Sequence, residues 1–184
     1  MPRTFEGAVL YDTIQAAVSA TAVSYSFFNV VQGGLLVAGT TKSASHTNMV
    51  QPRMLESGHS FQVQGMFMYV RELASTAATP LLLNQQHLMN SSIEIKLSDK
   101  RVGCTWPGAM IPDGGAALQY FSNITAAATE YHTNHGVGAV ANVRPISFFI
   151  APQQTLEVVI TIPVVATAVI DVTFAFVGVD FQEN

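Results

Sequence analysis

Two histidines three residues apart are the first candidates for chemistry in this chain. His132 and His135 lie in the segment Glu130–Gly136, and this spacing would let one helical turn present both imidazoles to a metal ion. The intervening Thr133 and Asn134 favour a turn instead, and no third ligand stands close by in the sequence. The pattern therefore predicts solvated loop histidines, and we expect neither a metal centre nor a cofactor.

The nucleophile and phosphate patterns are incomplete as well. Ser57 and His59 flank Gly58, an arrangement more typical of a turn than of a catalytic pair, and no G-x-S-x-G nucleophile motif occurs. Cys104 is the only cysteine, so intramolecular disulfides are excluded and a small buried side chain is expected. The glycines of Gly136–Gly138 lack the lysine of a phosphate loop. No catalytic residue is predicted, and we expect the protein not to be an enzyme.

Charged residues are scarce, and this scarcity limits the partners. The 184-residue chain is 11% charged and 49% hydrophobic, and no charge occurs from Thr13 to Thr41. Soluble domains are usually about 25% charged, so we expect copies of the chain to cover much of its surface. A net charge of -4 without a basic stripe argues against dedicated nucleic-acid binding. The uncharged stretch is too rich in Gln, Ser, Asn and Gly for a membrane span.

Apolar and polar residues alternate with the period of a β-strand along much of the chain. Leu156–Ile162 and Ile170–Val177 predict two strands paired as a hairpin. Further strands are predicted at Ser24–Val31, Leu35–Val37, Ser60–Glu72, Ile93–Leu97 and Ile146–Ile150. A short helix is predicted over 79–89, where a proline follows a threonine, and Ala and Gln favour a second over 13–20.

These elements predict one all-β domain over residues 1–184, an antiparallel β-sandwich of the jelly-roll type with one or two short helices. An immunoglobulin-like sandwich is the alternative, although its Cys-Trp-Cys spacing is missing. Residues 1–23 are a candidate N-terminal arm, and we expect the N-terminal part of the chain to lie against neighbouring subunits as an arm or an edge strand.

Four residues are candidates for subunit contacts. Phe27 and Phe28 are adjacent in a predicted strand, so their side chains should point to opposite sides, one into the core and one into a second buried surface. Trp106 and Met110 lie in a loop rich in Pro and Gly, where an aromatic residue favours a subunit contact or a plug for the end of the sandwich. An exposed Trp106 would instead suit carbohydrate binding.

Several segments resemble jelly-roll minor capsid and cement (decoration) proteins of bacteriophages. The likeness lies in Leu10-Tyr11-Asp12, Ser26-Phe27-Phe28, Thr47-Asn48-Met49, the segment from Leu55 to Val63, and the ending from Phe174 to Val179. The resemblance implies a structural virion protein that forms homotrimers and binds the major capsid protein. It also implies assembly in the cytoplasm of a host bacterium. The alternative is a carbohydrate-recognising jelly-roll domain, lectin-like or receptor-binding.

Overall fold

A computed structural model of the chain describes residues 3–36, 39–72, 89–111, 118–122, 130–134, 143–165 and 169–183. Eleven strands occur in these ranges. They are β1 (Arg3–Ala16), β2 (Val23–Phe27), β3 (His59–Glu72), β4 (Ser92–Leu97), β5 (Lys100–Arg101), β6 (Trp106–Pro107), β7 (Leu118–Ser122), β8 (Glu130–Asn134), β9 (Arg144–Ile150), β10 (Leu156–Ile162) and β11 (Ile170–Glu183). The helix predicted over 79–89 lies, except for Met89, outside the described residues.

Two antiparallel sheets pack face to face around a common core. The first sheet has the order β1-β11-β3-β9. The second has the order β2-β10-β4, and both β5 and β6 pair with β4. The strands β7 and β8 pair with each other in a separate two-stranded sheet.

The pairing order of the long strands is that of a jelly roll. Strands from the first half of the chain pair with strands from the second half in reverse order: β1 with β11, β2 with β10 and β3 with β9. The chain also changes sheets at every step from β1 to β4 and from β9 to β11. This double wrapping is the jelly-roll arrangement. The predicted all-β sandwich is therefore confirmed, and the immunoglobulin-like alternative is not adopted.

The strands predicted at the C-terminus are present, but they do not form a hairpin. The strand β10 lies in the second sheet between β2 and β4, whereas β11 lies in the first sheet between β1 and β3. Both strands send buried side chains into the core, including Ile160 from β10 and Phe174 from β11. The predicted hairpin is wrong because alternation reports which side of a strand is buried and not which strand lies beside it.

Residues 3–16 belong to the sandwich and are not a free arm. The strand β1 pairs with β11 along its whole length, from Arg3 opposite Glu183 to Ala16 opposite Ile170, and its Leu10 and Ile14 are buried in the core. The helix predicted over 13–20 is wrong, because pairing in the sheet outweighs the helix propensity of a few Ala and Gln residues.

Candidate interaction surface

Phe27 and Phe28 both lie in the core. The strand β2 ends at Phe27, and Phe28 has a φ of 61°, in the left-handed region that turns the chain out of the strand. The Phe28 ring therefore enters the same core as the Phe27 ring. The centroid of the Phe28 ring lies 6.0 Å from that of Phe176, and the centroid of the Phe27 ring lies 5.6 Å from that of Phe174. The expectation that they point to opposite sides is wrong. Because both are fully buried within the chain, neither ring offers surface to a partner.

Trp106 and Met110 lie near the end of the second sheet and differ in exposure. The Arg144 guanidinium lies 5.5 Å from the centroid of the Trp106 ring, a distance typical of a cation–π contact. The indole Nε1 is buried without a hydrogen-bond partner in the described part of the chain. Met110 ends a 3₁₀ helix, Gly108–Met110, and is 54% exposed. Trp106 is therefore packed against its own chain, while Met110 remains accessible.

The residues considered for metal and thiol chemistry are scattered. His132 lies in β8, and His135 lies outside the described residues. His46 Nδ1 lies 2.9 Å from the hydroxyl of Ser43. Over the described ranges, no group of three His, Cys, Asp or Glu side chains could hold a metal ion. Cys104 is exposed, contrary to the expected burial, because it lies in the bend between β5 and β6 rather than in a strand.

A cleft of about 190 Å³ opens between β1 and the segment 48–56. His59 and Asp180 line its polar side, with His59 Nδ1 3.0 Å from Asp180 Oδ2. Met49, Met54 and other apolar side chains line the rest. The predicted turn at residues 57–58 is confirmed, and no serine lies among the residues that line the cleft. The cleft can therefore provide apolar contacts and a hydrogen bond, but no hydroxyl nucleophile.

A buried ion pair anchors the long connection between β2 and β3. Lys42 Nζ lies 2.6 Å from Asp12 Oδ1, and the two side chains are 2% and 0% exposed. The same ammonium donates to the carbonyl of Val30 at 2.9 Å, and the other Asp12 oxygen accepts the N–H of Phe28 at 2.6 Å. Burial raises the pKa of the Asp12 carboxyl above its ordinary value of 3.8, although Lys42 acts to lower it. This pair was not predicted from the sequence.

The outward side of the second sheet is charged, and we call it the polar face. Glu157 on β10 lies 3.3 Å from Arg53 and 3.8 Å from Lys96. Glu94 on β4 lies 3.2 Å from Lys96 and 3.8 Å from Arg101. The five side chains form a row of alternating charge. Exposed pairs of this kind contribute little to stability, but they keep this face hydrated.

The outward side of the first sheet carries a patch of exposed apolar side chains, and we call this patch the apolar face. Val9 on β1, Tyr69 on β3 and Phe149 on β9 are exposed there, and the half-buried Val177 and Val179 of β11 lie between these strands. Large exposed apolar groups on one side of a domain are typical of an interaction site. The two faces of the sandwich therefore differ in chemistry.

The free edge of β1 is closed over part of its length by two side chains. The carboxamide of Asn48 donates to the carbonyl of Val9 at 2.7 Å and accepts the N–H of Tyr11 at 3.0 Å, as the peptide group of a neighbouring strand would. Thr47 Oγ1 donates to the Tyr11 carbonyl at 3.2 Å. Towards the N-terminus, over residues 3–8, no strand among the described residues pairs with the outer side of β1. We call these residues the open edge.

No protein-family model matches the chain, and no curated protein matches it. None of the helices in the described ranges is long and apolar enough to cross a membrane. The fold and surface define a jelly-roll domain with one polar and one apolar face.

Proposed function

We propose that this chain is a structural virion protein that binds the outside of a bacteriophage capsid shell, or forms part of it, and stabilises the shell through subunit interfaces. Its partners in this proposal are copies of itself, with a trimer as the closed ring, and the major capsid protein. The observation that carries the proposal is the contrast between the apolar face and the polar face.

Burial of the apolar face would supply the stabilisation. Transfer of apolar surface out of water contributes about 25 cal/mol per Å², and a stable interface covers about 800 Å² of each partner. The accessible surface of the chain is 9499 Å², so one such interface would use less than a tenth of it. The charge row of Glu157, Glu94 and their partners would remain in water on the opposite side.

The fold and the sequence resemblance support the same proposal. Jelly rolls build both viral capsid proteins and lectins, so the fold by itself does not choose between them. Carbohydrate binding at Trp106 would need a ring free to stack on a sugar, but one side of that ring carries the Arg144 guanidinium. Tyr69 and Phe149 expose rings on the apolar face, so the lectin hypothesis is kept as an outcome of the test.

The test adds the same charge to each face. Phe149→Lys places an ammonium on the apolar face, whereas Val159→Lys places one on the polar face, where Val159 lies opposite Glu94 in the β10–β4 ladder. We expect Phe149→Lys to weaken self-association, measured by light scattering, and binding to virus particles purified without the protein. Val159→Lys should retain both.

Equal behaviour of the two variants, with both folded by circular dichroism, would contradict the use of the apolar face. A wild-type chain that is monomeric at micromolar concentration and does not bind particles would contradict the proposed function. Binding to a glycan array without particle binding would favour the lectin hypothesis.

A further inference from the structure

We propose that the open edge of β1 pairs antiparallel with the open edge of a second copy, so that the two first sheets join across a two-fold axis. The inference rests on the self-association proposed above and names a contact that the proposed function leaves unspecified. It concerns an interaction surface made of backbone groups, whose partner is the same segment of another molecule.

The first observation is the direction of the backbone groups. The carbonyl of Val9 and the N–H of Tyr11 face away from β11, since both bind the Asn48 carboxamide. Peptide groups alternate sides along a strand, and the β1–β11 register runs without a shift from Arg3 to Ala16. Residues 3, 5 and 7 therefore direct their N–H and C=O groups outwards, and residues 4, 6 and 8 direct theirs towards β11.

The second observation is Gly7, in the interior of the open edge. Glycine weakens a strand and often marks a place where another backbone approaches closely. At two other glycines of this sheet the close approach comes from within the chain. A Cβ on Gly178 would lie 2.0 Å from the Gln62 carbonyl oxygen, and a Cβ on Gly65 would lie 2.1 Å from Val143 Cγ1. A Cβ on Gly7 would meet nothing within 4 Å. The packing of the described chain does not require a glycine here.

The side-chain clamp on β1 sets the register. Because Asn48 occupies the carbonyl of Val9, an added strand cannot pair beyond residue 7. Two copies then align with residue 5 opposite residue 5 and residue 3 opposite Gly7. In this register every outward peptide group at residues 3, 5 and 7 finds a partner in the other copy.

Three features favour a second copy as the occupant. The open edge carries one Arg and one Glu, so two copies meet without net charge. A two-fold pair uses the same patch twice and closes both edges at once, whereas an unrelated strand would close one. Val9 lies on the apolar face next to this edge, so the pairing also makes the apolar faces of the two copies continuous.

The test uses a matched pair of proline variants. Proline lacks the N–H group, so Gly7→Pro removes a donor that faces outwards, whereas Ala8→Pro removes one that faces β11. We expect Gly7→Pro to melt near the wild-type temperature while its mass by light scattering falls by half. Ala8→Pro should lower the melting temperature. A folded Gly7→Pro variant that keeps the wild-type mass would overturn the strand pairing and leave the proposed function standing.

The mass of the wild-type oligomer is a second test of the strand pairing. Two-fold pairing joins copies in twos, so we expect an even number of chains, six if the trimer contact also forms. A wild-type oligomer of three chains would overturn the strand pairing and would be compatible with the proposed function. Particles that bind no wild-type protein would instead count against the proposed function.

Cross-linking tests the register. In a Cys104→Ser background, Phe5→Cys places two thiols opposite each other, within the Cα separation of about 4.4–6.8 Å that a disulfide spans. Oxidation should give a covalent dimer. If no covalent dimer formed in a folded protein with an even number of chains, the register would be overturned. Thr21→Cys, on an exposed residue outside β1, is the control that should remain uncross-linked.

Discussion

Lys42 and Asp12 meet inside the sandwich, with 2.6 Å between Nζ and Oδ1. These two residues are also the charges that bound the uncharged stretch from Thr13 to Thr41. The pair therefore closes the stretch into a loop that contains β2 and the turn at Phe28. The same ammonium and carboxylate also bind backbone groups of this loop, at Val30 and Phe28.

Removal of one member of the pair should be strongly destabilising. Lys42→Met leaves the Asp12 carboxylate buried without its cation, and such single removals cost about 3–5 kcal/mol. The double variant Asp12→Asn, Lys42→Met should recover much of this loss, because Asn carries no charge and still accepts the Phe28 N–H. Urea unfolding measures both. Glu94→Gln, on the polar face, is the control and should change stability by less than about 1 kcal/mol. A Lys42→Met effect as small as that of Glu94→Gln would contradict the pair.

The cost of Lys42→Met should depend on pH. Burial raises the pKa of Asp12 above 3.8, so the folded protein holds this proton to higher pH than the unfolded chain does. The contribution of Asp12 to stability is then present in acid and is lost as pH rises through the raised pKa. Without Lys42 this pKa should rise further, so the loss should be larger and should extend to higher pH.

Unfolding of Lys42→Met and wild type at about pH 4 and about pH 7 checks the sign. The stability difference should be smaller at the lower pH. The double variant, which has no titrating group at residue 12, should show no such change. A larger difference in acid would mean that Asp12 is not the group responsible.

Glycine-to-alanine substitutions at two positions of the first sheet should differ in their effect on stability. Gly178→Ala places a methyl group 2.0 Å from the Gln62 carbonyl oxygen, at the shift of register between Val177 and Gly178. We expect a loss of about 1–3 kcal/mol or more. Gly7→Ala meets open space and should remain within about 0.5 kcal/mol of wild type. Thermal melts of the two variants, under conditions that keep both monomeric, measure this difference in stability.

At residue 28 the glycine variant should be more stable than the alanine variant, which is the reverse of the usual order. Both Phe28→Ala and Phe28→Gly lose the buried ring, but glycine adopts a φ of 61° without the strain of a Cβ. Phe28→Gly should therefore be the more stable of the two by about 1 kcal/mol. At Phe27, which lies in a strand, alanine should be the more stable by about 0.5–1 kcal/mol. The same order at both residues would contradict the turn geometry.

The period of two residues predicted several strands well and their neighbours poorly, and it missed β1. Ile93–Leu97 and Ser60–Glu72 were predicted within a residue of β4 and β3, because alternation follows from one buried side of a strand. The partners of β10 and β11 depend on contacts across the whole chain, which no local pattern contains. The jelly-roll class could be predicted because many short strands with long connections favour it.

The candidate surface was only partly predictable. Adjacent residues in a strand point to opposite sides, so Phe28 was predicted as a second surface, and only its positive φ places it in the core. The signal for the buried pair was present in the sequence, since Asp12 and Lys42 are opposite charges at the two ends of an uncharged stretch. The apolar face could not be located, because its residues come from β1, β3, β9 and β11, and alternation does not reveal that these strands are neighbours.

The pairing of the first long strand with the last sets the order of events during synthesis. Residue 171 must be made before Gln15 finds its partner Asp171, and at about 5–20 residues per second this delay lasts roughly 8–30 s. Throughout that time β1 lacks β11 on one edge, and the nascent chain carries an unpaired strand that can associate with others. Lys42, only 30 residues after Asp12, leaves the ribosome long before β11. It is the earliest charged partner available to hold β1 until the final strand arrives.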